Sequence, residues 1–194
     1  MKRIYFDNNA TTQPDPRVIQ KVAKLAREIY GNPSSLHYEG QQAKRALEES
    51  RKIIASAISA QESEIVFTSG GTESNNIAIK GIAEVLSEKG KHLITSAIEH
   101  QSVRSAHHYL NRKGFEVSWV PVDKNGVIDL DFLEKKIRDD TILISIMLAN
   151  NELGTIQPIK RAAEMAQTRG IYFHCDAVQA LGKIPVNVEE LAVD

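Results

Sequence analysis

The spacing of apolar side chains divides the chain near residue 64. Before that point Val18, Val22, Leu25 and Ile29 recur on one helical face, opened by Pro16 and ended by Gly31. A longer helix is predicted to about Ile58, with Ala43, Leu47, Ile54 and Ala55 inward and mixed charges outward. Residues 1–16 read as an irregular arm: Ile4-Tyr5-Phe6 suits a short strand, and the stretch from Asp7 to Pro14 is turn-rich. Beyond residue 64, strand and helix patterns alternate. Glu64–Phe67 reads as a buried strand, Asn76–Leu86 as a helix and His92–Ser96 as the next strand. A helix bearing Val103, Ala106 and Leu110 follows, then a strand over Phe115–Val122. Asp129 is placed to cap a helix bearing Leu130, Leu133 and Ile137. Thr141–Leu148 is almost uninterrupted apolar sequence, as a central strand covered on both faces requires. Pro158 starts a helix that Gly170 closes, and Ile171–His174 is the last clear strand. This alternation predicts an α/β fold, three layers with a largely parallel central sheet, with one domain over residues 17–194 after the arm.

The polar residues cluster directly after the predicted strands. Ser69-Gly70-Gly71-Thr72, Glu99-His100-Gln101, Asn150-Asn151-Glu152 and Asp176-Ala177-Val178-Gln179 each occupy such a position. In a parallel sheet the carboxyl ends of the strands share one edge, and ligands bind in the crevice there. Ser69-Gly70-Gly71-Thr72 also lies where a strand turns into a helix, a place suited to a phosphate because the first helical amides have no internal partner. An ordinary helix cap explains that stretch equally well. His100 suits proton transfer or helix capping, and Asp176 suits a charge partner or a turn. Cys175 sits at a buried strand end, where cysteine commonly acts as a small hydrophobe.

Composition narrows the classes. The chain has 194 residues, 42% of them hydrophobic, with a formal net charge of -1. Near neutrality argues against nucleic acid or a charged membrane surface as the main partner. No apolar run approaches the ~20 residues of a bilayer span, and no secretion signal follows the basic start, so a cytoplasmic location is expected. A single cysteine excludes an internal disulfide and suits a reducing compartment. The spacing of Ser69-Gly70-Gly71-Thr72 does not match a dinucleotide-binding G-x-G-x-x-G turn.

Six stretches together resemble the cysteine desulfurases, of the class V branch of fold type I enzymes that use pyridoxal 5'-phosphate (PLP). They are Asp7-Asn8-Asn9-Ala10-Thr11-Thr12, Gly31-Asn32-Pro33-Ser34-Ser35-x-His37, Phe67 to Asn76, Glu99-His100, Ala149 to Pro158, and His174-Cys175-Asp176-Ala177-Val178-Gln179. The resemblance implies a partial PLP-binding large domain. In it Gly71 and Thr72 would hold the cofactor phosphate, and His100 would stack on the pyridine ring and move protons. Asp176 would pair with the pyridine nitrogen, Gln179 would bond the phenolic oxygen, and Asn151 would lie against cofactor or substrate. Asn32 and His37 would belong to the substrate side or a dimer contact.

The implied activity converts L-cysteine to L-alanine with persulfide sulfur transfer to an acceptor protein, for iron–sulfur cluster assembly or tRNA thiolation. A homodimer is expected for the full-length form, with no metal. Family members are about twice this length, and the motif of their Schiff-base lysine lies beyond Asp194, as do the persulfide cysteine and the small domain. Only Lys183 follows Asp176, in a context that does not match. The expectation is therefore an amino-terminal half that is inactive alone. The alternatives are another class V enzyme, such as a selenocysteine lyase or an aminotransferase, or a non-catalytic half-length partner protein.

Overall fold

A computed structural model describes residues 3–194. Its internal contacts fall into two units, Met1–Ile65 and Val66–Asp194. The first contains two helices. Helix α1 spans Pro16–Glu28 and is capped by Asp15, whose carboxylate accepts the Arg17 amide. Its apolar stripe remains open within the unit, with Val18 54% and Val22 60% exposed. Helix α2 spans Tyr38–Ile58, where Ala55 is buried and Ile54 stays at the surface. Ile4-Tyr5-Phe6, expected as a short strand, forms none and is exposed, because no neighbouring backbone pairs with it among the described residues.

The second unit holds the sheet. Helix α3 (Gly71–Val85) precedes strand β1 (His92–Ser96); α4 (Gln101–Arg112), β2 (Glu116–Val120), α5 (Leu130–Lys136), β3 (Thr141–Ser145), α6 (Ile159–Gln167) and β4 (Tyr172–His174) follow, and α7 spans Val188–Leu191. The strands lie in the order β2-β1-β3-β4, and every pairing is parallel. The chain moves outward from β1 to β2, then returns across β1 to β3. Right-handed crossovers therefore place α4 on one face and α5 and α6 on the other.

The two cores follow that division. Leu93, Ile142 and Leu143 pack against Ile79 and Ala83 of α3 and against Val103, Ala106 and Leu110 of α4. Ile94, Ile144 and Ile146 pack on the opposite face against Leu133 of α5 and against Ala162, Ala163 and Ala166 of α6. Leu93 and Ile94 thus point to opposite layers, as the period of two in a strand requires. Ile142 is the extra residue of a bulge, since His92 pairs with Thr141 and Leu93 with Leu143. The result is the three-layer α/β architecture with a parallel sheet.

The strand expected over Glu64–Phe67 does not form. Glu64 ends a 3₁₀ turn over Glu62–Glu64, where its carboxylate accepts the Gln61 amide at 2.7 Å. Val66 and Phe67 belong to no strand and are 74% and 44% exposed. A strand needs a neighbouring ladder, and none of the described residues supplies one there.

Candidate functional site

The strand order reverses between β1 and β3, so their carboxyl ends border the crevice in which α/β sheets hold ligands. A cavity of about 190 Å³ opens there, lined by Gly71, Thr72, His100, Asn151, Asp176 and Gln179 among others. The six residues that the resemblance assigns to the cofactor all line it, and Asn32 and His37 do not.

Each arrives by a local cause. Gly70 is the N-cap of α3 and offers no capping side chain, so nothing of that kind occupies the first amides of the helix at Gly71 and Thr72. A Cβ on Gly71 would lie 2.9 Å from Val178 Cγ2, so a larger residue here would push that side chain aside. Thr72 is exposed at the mouth and caps nothing. His100 is the N-cap of α4, directly after β1, and its Nδ1 accepts the Ser102 amide at 3.2 Å. Asp176 is buried. Pairing of β3 with β4 continues beyond the formal strands, through Ile146 N–H to the His174 carbonyl and Leu148 N–H to the Asp176 carbonyl, and this carries Asp176 to the crevice. Its Oδ1 accepts the Val178 amide at 3.0 Å, and its Oδ2 accepts Asn75 Nδ2 at 2.8 Å. Gln179 Oε1 accepts Lys183 Nζ at 2.5 Å, and Lys183 itself is not part of the lining.

The loop bearing Asn151 is shaped by Asn150. Its Oδ1 accepts the amides of Glu152 and Leu153, and its Nδ2 donates to the Ile98 carbonyl, joining the loops after β3 and β1. Glu99 makes a second link. Its Oε1 accepts Ser96 Oγ–H at 2.5 Å and Met147 N–H at 3.0 Å. Burial pushes its carboxyl up to about 8; those two bonds offset part of the rise, and the Asp176 charge adds to it. Burial pushes the His174 imidazole down to about 4 and lifts the Cys175 thiol far above its ordinary range, with Glu99 and Asp176 adding to the latter. Cys175 does not line the cavity and is not suited to act as a thiolate.

Sequence reasoning missed Asn75, Ser102 and Met147, which also line the cavity. The first two lie inside helices, where an Asn or a Ser gives no local signal. His37 and Asn32, in the first unit, make local contacts: His37 Nδ1 lies 3.0 Å from Glu39 Oε2 and 3.4 Å from the Gly40 amide, and Asn32 Oδ1 accepts the Ser34 amide at 2.9 Å.

Fold and site together define an α/β protein with a crevice at the carboxyl edge of a parallel sheet, lined by helix-start amides, an imidazole, side-chain amides and a carboxylate. The chain belongs to the class-V aminotransferase family, whose profile matches residues 4–194. It is 54% identical over 195 residues to the cysteine desulfurase IscS of Dictyoglomus turgidum, covering 100% of this chain and 50% of that one. The solved structure of a NifS-like protein superposes with a TM-score of 0.96 at 45% identity, over 100% of this chain and 54% of the other. A second, described as SspA in complex with cysteine, gives 0.94 at 40% identity, over 98% and 55%. The chain spans about half the length of the curated relatives it matches. Among the described residues no helix is long and apolar enough to cross a membrane, and no group of His, Cys, Asp and Glu is arranged to hold a metal.

Proposed function

We propose that this chain is the amino-terminal half of a PLP-dependent cysteine desulfurase, which converts L-cysteine to L-alanine and passes persulfide sulfur to an acceptor protein. The observation that carries this reading is the convergence of Thr72, His100, Asn151, Asp176 and Gln179 on one cavity, beside a helix start without a side-chain cap. Similarity to cysteine desulfurases, and to a relative described with cysteine bound, supports the substrate.

The donor set fits PLP. The amides of Gly71 and Thr72, with the Thr72 hydroxyl, hold the phosphate at the positive end of α3. Gly71 keeps the wall low where the phosphate approaches the backbone. Asp176, oriented through both oxygens, pairs with the pyridine nitrogen. Gln179 bonds the phenolic oxygen, Asn151 orients the bound group from the β3 loop, and His100 covers the ring face and transfers protons. When bound, PLP supplies an electron sink for the carbanion at the α carbon of the amino acid.

The Schiff-base lysine and the thiol that receives sulfur are assigned to a further stretch of polypeptide. Lys183 is engaged with Gln179, and burial holds Cys175 protonated. Full-length action as a homodimer in the cytoplasm, in iron–sulfur cluster assembly or tRNA thiolation, belongs to the same proposal.

Visible absorption and equilibrium dialysis with PLP test it. The chain alone is expected to bind PLP without the absorption band of a lysine-bound cofactor, and Asp176→Asn is expected to weaken that binding. Co-expression with the carboxyl-terminal half of a relative is expected to produce the band and alanine from L-cysteine. A lysine-bound band from this chain alone refutes the assignment of the lysine elsewhere. Absence of PLP binding, alone and in co-expression, refutes the whole reading.

A further inference from the structure

We propose that Ser102, braced by Asn75, is a positioning residue that locks the His100 imidazole in its Nε2–H tautomer and ties it to Asp176. The functional consequence rests on the reading above, while the hydrogen bonds exist without cofactor. The Ser102 amide donates to His100 Nδ1 at 3.2 Å. A ring nitrogen that accepts an N–H carries no proton of its own. Ser102 Oγ lies 2.8 Å from the same Nδ1, and either atom of that pair could in principle be the donor.

The amide bond decides which: an Nδ1 that accepts from it has no proton to give, so the hydroxyl is the donor, and Asn75 braces that hydroxyl. Asn75 Nδ2 donates to Ser102 Oγ at 2.9 Å and to Asp176 Oδ2 at 2.8 Å. A side-chain amide nitrogen has two hydrogens, and these two bonds use both. Turning the amide over would set its carbonyl oxygen against an oxygen of Asp176, two acceptors face to face. With Oγ accepting from Asn75, the Ser102 hydrogen is left for Nδ1.

Two donors therefore converge on one ring nitrogen, and the single proton of the neutral imidazole goes to Nε2. Asn75 is 4% and Ser102 6% exposed, so water does not freely replace the bonds of Asn75 to Ser102 and Asp176, whereas the His100 ring itself is exposed. The chain His100–Ser102–Asn75–Asp176 joins the side chain assigned to the ring face with the one assigned to the ring nitrogen. It makes His100 a proton donor through Nε2, the one nitrogen left to serve the cavity that His100 lines.

Two-dimensional ¹H–¹⁵N NMR of the 194-residue chain, labelled on histidine nitrogen and held where the ring is neutral, reads the tautomer directly. His100→Gln assigns the signals. The expected wild-type spectrum shows a bare Nδ1 and a protonated Nε2. Ser102→Ala removes one of the two donors and is expected to move the tautomer ratio about fivefold toward Nδ1–H, the net weight of one hydrogen bond. Ser102→Thr keeps the hydroxyl and is expected to restore the wild-type ratio, while circular dichroism verifies folding of each variant. Asn75→Leu frees the hydroxyl to turn and is expected to move the ratio the same way by less. A protonated Nδ1 in the wild type, or a ratio unchanged in Ser102→Ala, overturns the proposal; an unchanged ratio in Asn75→Leu removes the brace from it. Dialysis against PLP, run on the unlabelled wild type, fails separately if the functional reading is wrong, because the tautomer is read without cofactor.

Discussion

Gly71 matters for the methyl group it lacks. A Cβ there would lie 2.9 Å from Val178 Cγ2, on the wall where the phosphate of the cofactor would meet the first amides of α3. Val178 is 61% exposed, so its side chain has room to swing aside, and alanine is a better helix former than glycine. Gly71→Ala should therefore change unfolding free energy by no more than about 1 kcal/mol. It should weaken PLP binding roughly tenfold, the weight of one hydrogen bond to a charged group. Chemical unfolding and dialysis measure the two effects separately. Unchanged PLP affinity would remove Gly71 from the phosphate site. The place of Gly71 at the cavity is legible in the sequence because a glycine pair before a predicted helix is a rare local signal. Asn75 and Ser102 gave none, because their partners lie on other elements; Asn75 and Asp176 are 101 positions apart.

Among the elements, the crevice depends on how the ends of β1 and β3 are joined. Glu99 links them through Ser96 and Met147 N–H, and its other oxygen, Oε2, has no partner among the described residues. Burial raises its carboxyl to about 8, so the folded chain keeps a proton that the unfolded chain releases near 4.5. The folded pKa is the higher one. The stabilisation is therefore complete below about 4.5 and is lost as pH rises toward about 8. Glu99→Gln keeps the shape without the titration. The stability advantage of wild type over this variant should shrink between pH 5 and pH 8, by roughly a few kcal/mol at most. Urea midpoints for both proteins across that range check it, and parallel curves would show that Glu99 does not titrate there. His107 and His174 act in the opposite sense. Burial lowers both to about 4, so their contribution is present above about 6.5 and is lost as pH falls toward about 4.

For the whole molecule, the two apolar layers on the sheet decide stability. Ile144 is fully buried in the layer shared with α5 and α6, and Ile144→Ala should cost about 2–5 kcal/mol in chemical unfolding. Because β3 also carries the loop that bears Asn151, PLP binding should fail at a lower denaturant concentration in this variant. The helix and strand alternation from His92 onward, the parallel sheet and the residues that line the cavity could be read from the chain. Each depends on local periodicity or on a position just after a strand. The strand order, the bulge at Ile142, the burial of Glu99 and the bonds that tie His100 to Asp176 could not. They arise where residues far apart in sequence meet, and periodicity carries no record of which neighbour an element will have. Val66 and Phe67 mark the boundary between the two kinds of information: their pattern is that of a strand, but a strand exists only beside another, and folding supplies none there.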